Sequence, residues 1–228
     1  MTVITENKTQ SLPVMESFYT LQGEGYHQGR AAYFIRLGGC DVGCVWCDVK
    51  ESWDESKHPR FTIDKIVEKA LQETSNQLAV GSWQNTVTGQ QSTTNLPLIV
   101  ITGGEPLMHN LDALTKALHD AGFRTNIETS GAHPLSGDWD WICLSPKKFK
   151  KPLEEICPEA NELKVVIFNQ HDFSWAEEYA AKVSSNCKLY LQPEWDKAVE
   201  MTPLIIEYIK AHPKWELSLQ IHKYINVP

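Results

Sequence analysis

Residues 31–48 read AAYFIRLGGCDVGCVWCD, and the chain's architecture follows from them. Ala31–Leu37 is an apolar run of strand length, broken at once by Gly38 and Gly39. Three thiols then arrive together as Cys40-x3-Cys44-x2-Cys47. α/β folds put their ligand chemistry at the carboxyl ends of parallel strands, so this loop is a candidate centre. Three ligands suit a closed structural zinc site poorly, because such a site wants four. They suit an iron–sulfur cluster with one iron left for an exogenous ligand. Zinc completed by a distant Cys or His is the runner-up. Gly38, Gly39 and Gly43 let the backbone turn tightly around a bulky group.

Outward from this loop, apolar runs alternate with helix-period segments, as in strands joined by crossover helices. The strand candidates are Ala31–Leu37, Leu98–Ile101, Arg124–Glu128, Trp141–Leu144, Leu163–Phe168, Lys188–Leu191 and Leu217–Leu219. Ile63, Ile66, Val67, Ala70 and Leu71 share one helical face behind Thr62 as a cap. Leu111, Leu114 and Leu118 make a second stripe, opened by Asn110 and closed by Gly122. Two further helices are expected over Phe173–Val183 and Pro203–Ala211, the last starting at Thr202-Pro203. The expected fold is α/β, an open or partial β/α barrel formed by one domain over residues 1–228. Residues 74–95, rich in Gln, Asn, Ser and Thr, read mostly as a mobile polar insertion, in which Trp83 is an anchor or a cover for the ligand opening. The expected strands run into GGCDVGCVWCD, TGGEP, ETSG, SPKK, QPEW and QIHKY, so polar and glycine-rich groups converge on one rim.

Composition narrows the partners. A formal net charge of −8 argues against a nucleic-acid surface, which draws its affinity from clustered Lys and Arg. A small-molecule ligand is expected instead. Nothing approaches the roughly 18 consecutive apolar residues of a membrane span, and MTVITENKTQSL lacks the blocks of a secretory signal, so no membrane partner and a reducing cytoplasm are expected. Three of the six cysteines crowd into the loop, which favours metal over disulfide chemistry; Cys143, Cys157 and Cys187 read as small buried thiols.

The Cys40-x3-Cys44-x2-Cys47 loop resembles the signature of the radical S-adenosylmethionine superfamily. That likeness implies a [4Fe–4S] cluster on these cysteines, with the S-adenosyl-L-methionine amino and carboxylate groups on the fourth iron and a 5′-deoxyadenosyl radical formed on reduction. Gly103-Gly104-Glu105-Pro106 resembles the superfamily's cofactor-amine motif. Trp46, between two cysteines, is either a neighbour of adenine or a loop anchor. FYTLQGEG at 18–25, FIRLGGC at 34–40, TGGEPL at 102–107, SPK at 145–147, NELKVVI at 161–167, LQP at 191–193 and HKYINVP at 222–228 narrow the resemblance to the 7-carboxy-7-deazaguanine synthase family.

The resemblance implies ring contraction of 6-carboxy-5,6,7,8-tetrahydropterin with loss of ammonia, a step of queuosine and deazapurine biosynthesis. By the same likeness Leu21, Gln22, Gly23 and Glu24 meet the pterin, Arg36 its carboxylate, and Thr102, His222 and the carboxylate of Pro228 the rest of the substrate. Gly103, Gly104, Glu105, Glu128, Ser145, Pro146, Lys147 and the run Gln192, Pro193, Glu194, Trp195 lie along the cofactor. Taken alone, Gln22 and Glu24 are turn residues and Arg36 an ion-pair partner. An electron donor such as a flavodoxin or ferredoxin and a homodimer are also implied. One position departs from the pattern: Val49 follows Cys47-Asp48 where the family has a Thr that helps hold Mg²⁺, so a relaxed metal dependence is expected. Lys50 beside it reads as a solvated lysine, with replacement of the missing charge as the alternative. The competing enzyme class is a glycyl-radical activating enzyme, and the competing non-enzyme a zinc-binding interaction module.

Overall fold

The computed structural model describes residues 10–80 and 97–228. Trp83 and the later part of the polar segment lie outside the described residues. Among the described residues nine strands form one sheet: β1 Ser11–Leu21, β2 Ala31–Leu37, β3 Arg60–Thr62, β4 Leu98–Gly103, β5 Arg124–Thr129, β6 Trp141–Leu144, β7 Glu162–Ile167, β8 Lys188–Pro193 and β9 Glu216–Leu217, in the order β3-β1-β2-β4-β5-β6-β7-β8-β9. From β2 to β9 every pairing is parallel, whereas β1 runs antiparallel to both β2 and β3. The ends β3 and β9 do not pair, so the barrel is open, as expected.

Strand alternation sorts the side chains into two compartments. Tyr33, Ile35 and Leu37 of β2, Ile99 and Ile101 of β4, and Leu163, Val165 and Ile167 of β7 face outward into one large core. There they meet Ile63, Ile66 and Ala70 of α1 (Ile63–Val80), Leu114 and Leu118 of α2 (Asp112–Asp120), Trp175 and Ala176 of α3 (Asp172–Ala180), and Met201 and Ile205 of α4 (Ala198–Ala211). Burying a side chain of this kind contributes about 1.5–3 kcal/mol, so the outer shell holds the sheet. The intervening β2 and β4 residues Ala32, Phe34, Leu98 and Val100 form a separate inner patch with Phe18. Further round, the inner face turns polar: Asn126, Glu128, Cys143, Lys164 and Gln192 alternate with those outward residues.

The structure corrects several boundaries. β1 and β3 did not stand out in the sequence, because Pro13 interrupts β1 and a bulge between Val14 and Glu16 breaks its alternation. α1 runs on to Val80, so the start of the presumed insertion at 74 is helix; Thr74 is fully buried and its hydroxyl donates to Ala70 O at 2.7 Å. α4 begins at Ala198, with Pro203 inside it rather than at its start. The carbonyl that Pro203 cannot bond belongs to Val199, which is 93% exposed and open to water, while Met201 is buried by continuing the helix back. α3 is shorter than expected, and β9 holds only two residues, starting at Glu216. For α2 the N-cap is Leu111, one residue later than read, although Asn110 Oδ1 still accepts from Asp112 N at 3.1 Å; Gly122 takes a positive φ of 88° beyond the helix end, as read. A short fifth helix, α5 Ile221–Ile225, had no sequence signal and closes the chain against the opening.

Candidate active site

The loop between β1 and β2 folds back into the sheet rather than away from it. Gly25 N donates to Ser218 Oγ at 3.0 Å and Tyr26 N to Glu162 Oε2 at 3.3 Å, so residues 22–27 reach from the start of β7 to the residue after β9 and floor the space above. Over this floor a cavity of about 270 Å³ opens toward the strand ends. All the residues assigned by resemblance line it except Pro146: Leu21 to Glu24, Arg36, the three cysteines, Trp46, Thr102 to Glu105, Glu128, Ser145, Lys147, Gln192 to Trp195, His222 and Pro228.

At the roof, the cysteine loop and the glycine loop after β4 are one packing unit. Gly104 N donates to Leu37 O and Glu105 N to Gly39 O, both at 2.8 Å. A Cβ on Gly104 would stand 2.1 Å from Gly39 O, so no larger residue allows this approach. Glu105 is buried and accepts from Thr129 Oγ1 and Leu107 N on one oxygen and from Ser130 N and Oγ on the other. Its carboxylate therefore ties the β4 loop to the end of β5, with its acceptor positions largely taken by the protein.

Cys40, Cys44 and Cys47 line the cavity together, three soft sulfur donors of the kind an iron–sulfur cluster takes. Among the described residues no group of three His, Cys, Asp or Glu side chains is poised as a single-ion site. In a polynuclear cluster each iron takes its own thiolate, so the sulfurs stand apart. Burial pushes the Cys40 and Cys44 thiols up, Cys44 to about 11, while the Lys147 ammonium acts on Cys44 in the opposite direction. Lys147 sits 5.5 Å over the Trp46 ring, and burial lowers its own pKa. Trp46 packs with the loop cluster and edge-on against Phe149 at 6.1 Å, and it also lines the cavity.

The floor carries a charged network that the sequence did not mark. Lys164 Nζ lies 2.6 Å from Glu24 Oε2 and 2.7 Å from Glu128 Oε2. Gln22 Nε2 donates to Glu128 Oε1 at 2.7 Å, and Gln220 Nε2 to Glu24 Oε1 at 2.8 Å. Burial alone would raise Glu24; the Lys164 ammonium and the bonds from Lys164 and Gln220 override it and hold the acid down at about 2. The only hint of Lys164 was one cation within the apolar strand LKVVI. Higher on the wall, Arg36 pairs with Glu16 at 3.0 Å and lies 5.3 Å over Phe18. Gln192 Oε1 accepts from Ser218 Oγ, and Glu194 caps the turn after β8 through Lys197 N.

The C-terminal segment completes the wall. Ile221 N donates to Gly23 O at 3.0 Å, and Thr20 Oγ1 to Pro228 O at 3.2 Å. Lys223 bridges to Asp48 at 2.8 Å and lies 4.8 Å over Trp195, joining this segment to the cysteine loop. Around Val49 the donors do not suit Mg²⁺: the side chain has no oxygen, its carbonyl already accepts from Ser52 N and Oγ, and Asp48 is engaged by Lys223. Lys50 is exposed and does not line the cavity, as its solvated reading requires.

Comparison with known proteins identifies the family. No protein-family model matches the chain. The chain is 52% identical to the 7-carboxy-7-deazaguanine synthase of Flavobacterium psychrophilum, over 99% of this chain and 97% of that protein. It is 49% identical to the Synechocystis enzyme of the same name, covering 98% and 97%, and 37% identical to that of Escherichia coli, covering 94% and 98%. The crystal structure of QueE from Escherichia coli superposes with a TM-score of 0.72 at 31% identity, over 92% of this chain and 93% of that one. With relatives this similar over nearly their whole length, the chain belongs to the 7-carboxy-7-deazaguanine synthase family.

Proposed function

We propose that the chain contracts 6-carboxy-5,6,7,8-tetrahydropterin to 7-carboxy-7-deazaguanine with loss of ammonia, as a radical S-adenosylmethionine lyase. The observation that carries this is the joining of the cysteine loop and a polar floor across one cavity of about 270 Å³. Cys40, Cys44 and Cys47 would hold a [4Fe–4S] cluster. S-Adenosyl-L-methionine would lie along Gly103, Gly104, Glu128, the Ser145–Lys147 segment and Gln192 to Trp195. When bound, cluster and cofactor supply a one-electron cleavage that gives a hydrogen-abstracting carbon radical.

The chain's own residues orient and shield. Glu24, kept ionised by Lys164, offers a fixed acceptor to the N–H edge of the pterin, which Gln22 and the backbone at Leu21 and Gly23 border. His222 and Pro228 face the same ring from the C-terminal side. Arg36 is the donor fork for the substrate carboxylate, to which it turns by releasing Glu16. Phe18 and Phe34, stacked at 5.5 Å, give the cavity an apolar side that keeps water from the reacting carbon, beside Thr102. The residues at Val49 do not supply ligands for a Mg²⁺ ion.

The partners of this reading are a flavodoxin or ferredoxin as electron donor and a second copy of the chain, in the cytoplasm. No helix among the described residues is long and apolar enough to cross a membrane. Anaerobic reconstitution followed by iron and sulfide analysis, and then turnover of the carboxypterin with reductant and S-adenosylmethionine, tests the function. The expected product has lost ammonia by mass; a loaded protein that leaves the carboxypterin unchanged would refute the assignment.

A further inference from the structure

We infer that Glu16 is a specificity-determining residue, an internal carboxylate that competes with the ligand's own carboxylate for Arg36. This rests on the function proposed above, in which Arg36 receives the carboxylate of the pterin. Arg36 stands in β2 between two cross-strand partners, with Glu16 of β1 opposite it on one side and Thr102 of β4 on the other. Its guanidinium bonds Glu16 at 3.0 Å and lies 5.3 Å over the Phe18 ring. Arg36, Phe18 and Thr102 line the cavity, and Glu16 does not. Glu16 belongs instead to a second cavity, of about 140 Å³, between β1 and α1, which Lys65 and Lys69 also line. On release its carboxylate therefore keeps positive charge on its own side, while Arg36 keeps its seat on Phe18. The exchange costs little, because the two side chains of the pair are 26% and 42% exposed.

The competing carboxylates differ in what holds them. Glu16 is tethered to the neighbouring strand, so it meets Arg36 at an effective concentration that a dilute free anion does not match. A carboxylate carried on a ring already bound against Glu24 and His222 is tethered too, and only such a carboxylate displaces Glu16. Stray anions are thereby kept off Arg36 while the substrate is admitted. Substrate and product both bear the carboxylate, so Arg36 binds them alike, and uniform binding of this kind adds nothing to the rate of the chemical step. By retaking the guanidinium, Glu16 loosens both and lets the product leave.

The test is calorimetry on the reconstituted protein with S-adenosylmethionine, kept without reductant so that nothing turns over. Two ligands are compared, the carboxypterin and tetrahydropterin, which lacks the carboxylate. Glu16→Gln is expected to bind the carboxypterin about three-fold more tightly than the parent does, and the carboxylated product by the same factor, with tetrahydropterin unchanged. Glu16→Asp, which keeps the charge, should stay closer to the parent than to Glu16→Gln. Excess acetate should weaken carboxypterin binding more in Glu16→Gln than in the parent. No gain for the carboxypterin, a gain shared equally by tetrahydropterin, or a loss that makes Glu16 a support for Arg36 would each overturn the competition. A parent that does not bind the carboxypterin would reject the catalytic assignment and this inference with it. Failed turnover, on adding reductant, in a parent that does bind it would reject the catalytic assignment alone.

Discussion

The ammonium of Lys164 lies 2.6 Å from the carboxylate of Glu24, on a lysine whose side chain is only 3% exposed. It serves Glu128 as well, so removing it strands two carboxylates that burial disfavours. Lys164→Met is expected to cost about 3–5 kcal/mol at pH 7, measured by urea unfolding of the cluster-free protein. The sign with pH follows from Glu24. Its folded pKa of about 2 means the parent keeps this contribution above the unfolded value of 4.5 and loses it only as pH falls through 2. In the variant, burial is unopposed and the acid takes up a proton earlier. The stability gap should therefore narrow between pH 7 and pH 4; a constant gap would contradict the pairing.

Gly23 is fixed by its neighbour across the cavity. A Cβ there would stand 2.2 Å from Nδ1 of His222, so Gly23→Ala must displace that ring and the start of α5. We expect kcat/KM for the carboxypterin to fall at least about ten-fold, mainly through KM, with a stability loss of about 1–3 kcal/mol typical of overpacking. Steady-state kinetics beside thermal unfolding would check it. A loss of stability with no change in KM would remove His222 from the substrate wall.

In the floor, His27 is 3% exposed and neither ring nitrogen has a hydrogen-bond partner among the described residues. Burial first, then the positive charges of Arg30 and Arg124, lower its pKa to about 4. The unfolded chain takes up this proton near 6.5 and the folded one does not, so stability drains away as pH drops from about 6.5 to about 4, by roughly 3 kcal/mol. Glu162 nearby works the other way, since burial raises it and its protonation favours the fold as pH falls. His27→Phe leaves Glu162 in place and retains the ring packing against Tyr26 and Trp141. The variant should equal or exceed the parent at pH 7 and gain on it steadily toward pH 4.5, by differential scanning calorimetry.

Val49 offers no oxygen where the family pattern has a threonine. Rates with and without chelator should differ by less than about two-fold in the parent, and Val49→Thr should gain a measurable stimulation by Mg²⁺. An absolute requirement in the parent would show that water and substrate alone hold the ion.

The strand Ala31–Leu37 was legible because an apolar run of that length bounded by Gly38 and Gly39 suits a buried strand, although its two faces were not told apart. So was the convergence of the loops after β2, β4 and β8, which strand polarity fixes. β1 escaped because Met15 falls in the bulged stretch, where alternation lapses. The Lys164 network escaped for another reason. Glu24 and Lys164 are 140 residues apart in the chain, and no local pattern says which distant carboxylate a buried lysine will meet. Glu105 resembled a free acceptor, yet its place beside Thr129 and Ser130 depends on the packing of two separate loops.

The sheet is anchored from behind, by leucine and isoleucine contacts with α1 to α4, while on its other side Phe34, Thr102 and Val166 line the cavity. A combinatorial library restricted to those positions could reshape the chamber for other heterocycles without melting the scaffold. Ring-contraction chemistry is in this sense a tenant of the barrel and not part of its masonry.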